Sequence, residues 1–126
     1  MRRGWMAGLL TILLLFSVGC GEQKANLPAD DYLKKLNMRV VEKRHADHPL
    51  WREYTVYLTD AQGRPADVDV MKVVLDMTTM HHPHHDTFKR IQKGEYHMLH
   101  KKIAMAGNWV ATVTLVHGRH TLKKQL

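Results

Sequence analysis

The stretch "NWVATVTLVH", residues 108–117, decides the fold. Trp109, Ala111, Val113 and Leu115 fall on one side of an extended chain, and Val110, Thr112, Thr114 and Val116 fall on the other, because successive strand side chains point to opposite faces. A helix would scatter this set around its circumference. The same period of two runs through "NMRVVEKRH" at 37–45, "WREYTVYLTD" at 51–60 with Tyr54, Val56 and Leu58 on one face, "VDVMKVVLDM" at 68–77, and the strand "YHMLHKKI". "DAQGRPAD" and "KGEY" carry the Gly and Pro that punctuate turns, and each is read as a hairpin. "GRHTLKKQL" adds a short edge strand. About seven short antiparallel strands and no amphipathic helix predict an all-β chain, an immunoglobulin-like β-sandwich in which Trp109 fills the centre.

Outward from that domain, the start of the chain reads as a targeting segment. Met1-Arg2-Arg3 precedes an apolar run from Ala7 to Val18. The run is short for a bilayer span, which needs about 20 apolar residues, and fits a signal core of roughly 7–15. Gly19 directly before Cys20, in "LLLFSVGC", resembles the lipobox of bacterial lipoproteins. The expected organisation is therefore a signal peptide over 1–19, a lipidated Cys20 with a flexible tether over 20–31, and one folded domain over 32–126. The protein is then expected outside the cytoplasm, anchored by Cys20 to a bacterial membrane.

Composition narrows the chemistry. Cys20 is the chain's one cysteine, so once lipidated it forms no disulfide, attacks no substrate and ligates no metal. Loss of Arg2 and Arg3 lowers the formal charge from +7 to +5. The remaining Lys and Arg are scattered, which fits weak attraction to an anionic membrane and argues against nucleic acid. No Ser-His-Asp or Cys-His set, phosphate-binding Gly loop or H-E-x-x-H motif is present, so no enzyme activity is expected.

The unusual chemistry sits in "MTTMHHPHH", residues 77–85. Met77, Met80, His81, His82, His84 and His85 offer thioether and imidazole donors together. Such a set without thiolate favours copper: Cu(I) through Met77, Met80 and one or two histidines, Cu(II) through two or three histidines with Asp86 or water. Against this, Met77 shares the inward parity of Met71, Val73 and Leu75 and would serve equally as core filler, and a surface histidine tract binds metals loosely without a role. His97 and His100 are second-rank ligands; lying on opposite faces of their strand, at most one of them joins a given site. Met105 is also second rank, with core or rim packing as its alternative. His45, His48, His117 and His120 are read as solvated.

The ordered set "DAQGRPADVDVMKVVLDMTTMHHPHH", "KGEYHM" and "MAGNWVATVTL" resembles the YtkA-like and FixH-like families of small extracytoplasmic domains, over about residues 38–116. Those families are similar to CopC-type immunoglobulin-like copper-handling domains, and FixH-like members are associated with assembly of copper-dependent oxidases. The resemblance implies copper handling beside a membrane oxidase or copper transporter. This chain has Thr78 where the family often has proline, and more histidine than the family's usual single residue. Three functions follow as expectations: a copper-binding module, a non-metal accessory subunit docking on a membrane complex, and a zinc or nickel scavenger.

Overall fold

The alternating stretches fold into two antiparallel sheets that share one core. The structure, a computed structural model, describes residues 26–126, so the expected signal peptide over 1–19 and Cys20 lie outside the described residues. In chain order the elements are α1 (Asp31–Lys34), β1 (Asn37–Lys43), β2 (Arg52–Thr59), β3 (Val70–Met77), β4 (His84–Thr87), β5 (Lys89–Gln92), β6 (Glu95–His100), β7 (Trp109–His117) and β8 (His120–Gln125). One sheet has the order β1-β2-β6-β5 and the other β4-β3-β7-β8. Tyr54, Val56 and Leu58 of the first sheet face Met71, Val73, Leu75, Ala111, Val113 and Leu115 of the second in one buried cluster. Each fully buried Leu, Val or Met contributes about 1.5–3 kcal/mol from water exclusion, so the period of two is also the main source of stability. The β-sandwich expected from the sequence is the architecture observed.

Among the described residues eight strands form, one more than the alternation predicts. The added pairing comes from "HHDT", which has no apolar alternation and was expected to be part of a loop. Its strand character is conferred by the edge of β3, through pairs such as Lys72↔Thr87 and Leu75↔His84. A second difference concerns residues 60–69. They do not close a hairpin, because β2 and β3 lie in different sheets. Asp60 accepts hydrogen bonds from the backbone N–H groups of Gln62 and Arg64, which tightens the turn before the chain crosses over. "KGEY" does form a hairpin, between β5 and β6. Gly94 supplies its φ of +79°, and a Cβ there would lie 2.9 Å from the Leu58 carbonyl oxygen.

The crossover is fastened by Asp67. Its carboxylate accepts from the Gly94 N–H at 2.9 Å, from the Tyr96 hydroxyl at 3.2 Å and from the Arg90 guanidinium at 3.0 Å. Packing also starts earlier than Tyr32, within the stretch read as a tether. Leu27 forms a parallel bridge to His120, and Asp30 caps α1 by accepting from the Leu33 N–H. Leu33 and Leu36 then bury themselves in the core. Strand directions put the connections 44–51, 78–83 and 101–108 at one pole, while the crossover 60–69, the β7–β8 turn and Leu27 lie at the other.

Candidate functional site

The connection 78–83 begins where β3 ends, and its shape is set by Asp76. One carboxylate oxygen accepts from the N–H groups of Met77 and His82, at 2.9 and 2.7 Å, and the other pairs with His81 Nδ1 at 2.7 Å. The His82 N–H is the largest of the influences that hold this carboxyl below its ordinary range. Asp76 therefore folds the Met/His stretch back on itself. It also occupies His81, which points into solvent.

From His84 the chain pairs with β3, and parity sorts the next residues. His84 stands opposite Leu75 and Asp86 opposite Val73, so both side chains turn inward, while His85 turns outward. From the facing sheet His100, at the inward parity of Tyr96 and Met98, closes the gap between the layers. It is 3% exposed. His100 Nδ1 lies 2.9 Å from an Asp86 carboxylate oxygen, and His100 Nε2 lies 3.1 Å from His84 Nδ1. His97 and His100 lie on opposite faces of β6, and it is His100 that meets the tract.

The neighbours of this bridge are aromatic and thioether groups. Trp109 meets the rings of His84 and His82 edge-on, at 5.4 and 6.2 Å between centroids, and the two histidine rings are 5.2 Å apart. Trp109 is half-buried at the pole instead of filling the centre, because β7 begins there and its indole N–H donates to the Met105 carbonyl at 3.1 Å. Met77 pairs with Trp109 across β3 and β7, one inward position beyond the Leu75↔His84 pair. Its methyl lies against Gly107, where a Cβ would approach it to 2.5 Å. Burial is the main cause that lowers the His84 pKa, followed by the charges of His100, His82 and His85. The shift favours the uncharged ring, the form in which imidazole is a ligand.

The remaining candidates are placed elsewhere. Met80 is 54% exposed at the tip of the connection, beside the pole but outside the bridge. Met105 is exposed and contributes its carbonyl to Trp109. His97 is on the outer sheet face, where its Nε2 and that of His45 each lie 2.6 Å from a different oxygen of Glu53. These two contacts, His97 first, hold the Glu53 carboxyl below its ordinary range. His45 is therefore paired, not solvated. His48 stacks on Trp51 at 3.8 Å, His117 pairs with Asp30, and His120 bonds the Pro28 carbonyl. Residues the sequence reading missed are Asp76 and Gly107; the aspartate has the outward strand parity that normally marks a solvated group.

Two imidazole nitrogens bound to one first-row metal at about 2.0–2.1 Å stand roughly 3.0–3.5 Å apart for angles near tetrahedral. The His84–His100 separation falls in that interval. The Asp86 contact fixes the far nitrogen of His100, as a carboxylate behind a ligating histidine does. Among the described residues no group of three or more His, Cys, Asp or Glu side chains is arranged to hold a metal ion. Any ion at the pair would take its further donors from methionine sulfur or water. Searches against family models, curated proteins and solved structures find no match to this chain.

Proposed function

We propose that the domain is a non-enzymatic copper-binding module whose principal ligands are His84 and His100, with Met77 and Met80 as thioether donors to Cu(I). The observation that carries this reading is the pair of imidazole nitrogens 3.1 Å apart, one of them braced from behind by Asp86. Two imidazoles complemented by sulfur suit copper better than zinc or nickel, and among the described residues no group of three or more His, Cys, Asp or Glu side chains is arranged to hold a metal ion. The motif resemblance over residues 38–116 supports the same reading, as does the lipobox-like Cys20, which would hold the module on the outer side of a membrane to capture copper or pass it to an oxidase or transporter.

The test is a competition titration of the isolated protein against Cu(I) and Cu(II) chelators of known affinity. His84→Asn and His100→Gln are each expected to weaken copper binding by tenfold or more, with circular dichroism showing a folded sandwich. Met77→Leu with Met80→Leu is expected to weaken Cu(I) while sparing Cu(II). His81→Asn with His85→Asn is the control and leaves affinity within a few-fold of wild type. Wild-type copper affinity in the folded His84 variant would overturn the proposal, and equal retention of zinc, nickel and copper would favour the scavenger. Absence of any tight site would leave the accessory-subunit reading in front.

A further inference from the structure

The two lateral sides of the sandwich are built differently. On one side the chain passes from β4 to β5 through buried Phe88, and the His84–His100–Asp86 bridge ties the layers together. On the other, β1 and β8 are both edge strands, and between them lies a cleft of about 1120 Å³. The inward positions at the middle of the inner strands, such as Val56, Val73, Met98 and Val113, are buried. Those of β1 are not: Met38 and Val40, opposite buried Leu58 and Val56, are only half-buried, and Glu42, opposite Tyr54, is exposed. On β8 the inward position opposite Val113 is Lys124. The layer is therefore unfinished along one edge, with space beside it.

An edge strand offers a row of backbone donors and acceptors to another chain, and lysine or an inward charge on the edge normally discourages that pairing. Here those charges are unequal in sign. Arg44, Arg52 and Lys124 line the cleft against Glu42, and Arg39 and Lys43 project from the outer face of β1. Generic apolar strands meet inward charge and are rejected, whereas an acidic strand is complemented. On this side the β8 edge is engaged at its start, where Leu27 pairs with His120, whereas β1 is open along its length. Among the described residues its seven positions pair on one side only. The cleft beside it has room for the inward side chains of an added strand.

We propose that β1 is a docking edge for an extended acidic segment of a partner protein, which adds antiparallel or parallel to β1 and places alternate acidic side chains in the cleft, toward Arg44, Arg52 and Lys124. Backbone hydrogen bonds supply the attachment, and the arginines and Lys124 of the cleft select acidic groups over apolar or basic ones. Trp109 lines the cleft on one side and touches His84 on the other, so an occupant reaches the histidine pair through one indole.

The probe is an acetylated, amidated octapeptide alternating glutamate and valine, titrated calorimetrically into the protein as isolated and followed by hydrogen exchange. Saturable binding with protection of β1 amides is expected, together with at least a tenfold loss for the alternating lysine–valine peptide. Arg44→Glu with Lys124→Glu, both at surface positions, is expected to weaken the acidic peptide by tenfold or more and to leave the melting temperature nearly unchanged. N-methylation of alternate peptide nitrogens in one of the two registers should abolish binding, while the other register tolerates it. No saturable binding, equal affinity for both peptides, or indifference to N-methylation in both registers overturns the proposal. So does sedimentation showing that β1 is covered by a second copy of this chain, or protection of β1 amides in the free protein that is lost when residues 1–25 are removed.

Discussion

Replacing His100 and Asp86 by leucine, singly and together, measures how much the inter-sheet bridge contributes to the fold. In His100→Leu the Asp86 carboxylate loses a hydrogen bond of the charged kind, worth about 1.5–3 kcal/mol, and His84 loses a neutral one worth about 0.5–1.5 kcal/mol. Asp86 retains 36% of its side-chain exposure, so water replaces part of what it loses and the lower end of the first range applies. Burying leucine in place of imidazole offsets a further part. The net cost expected is about 2 kcal/mol. In Asp86→Leu the cost falls on His100, whose Nδ1–H is stranded at 3% residue exposure; an unsatisfied buried donor costs about 1–3 kcal/mol. The double variant replaces both partners with apolar groups and strands neither, so it should cost only about 1–2 kcal/mol in all. The coupling between the two positions is then roughly 2 kcal/mol. Urea unfolding of the four proteins with a chelator present reports this as midpoint differences at constant m. In a domain of this size each kcal/mol also moves the melting temperature by about 4–8 °C. Additivity within about 0.5 kcal/mol would refute the bridge, since that is the behaviour of sites that do not touch.

The Asp67 carboxyl is held below its ordinary value first by Arg90 and then by the Gly94 N–H, so its stabilisation is complete above the unfolded carboxylate pKa near about 3.9 and is lost as pH falls through the lower folded value; Asp67→Asn should flatten the acid limb of a stability–pH curve, and an unchanged limb would count against this role. Gly94→Ala should cost well over the ~1–2 kcal/mol of a left-handed alanine, because its Cβ meets the Leu58 carbonyl, whereas Gly63→Ala, with φ of +80° and nothing within 4 Å, should cost only about that strain; equal melting temperatures for the two variants would contradict the packing argument. If Cys20 carries the lipid anchor that its lipobox-like context implies, Cys20→Ser should move the protein from the membrane to the soluble extracytoplasmic fraction and abolish lipid labelling; retention in the membrane fraction would remove the lipoprotein reading.

The sequence by itself determined that these segments are strands and which face of each is buried, because a period of two at Tyr54–Leu58, Met71–Leu75 and Ala111–Leu115 states both at once. It also placed His97 and His100 on opposite faces by parity alone. It could not reveal β4, since "HHDT" has no apolar period and becomes a strand only because the edge of β3 is there to receive it. For the same reason the histidine tract read as one loop with several interchangeable donors. Tertiary structure broke that equivalence by turning His84 inward and His85 outward, tying His81 to Asp76, and bringing His100 from the other sheet to 3.1 Å from His84. A contact between residues sixteen positions apart in different sheets leaves no mark on local periodicity; it exists because the two layers are held at a fixed separation by the core that the periodicity builds.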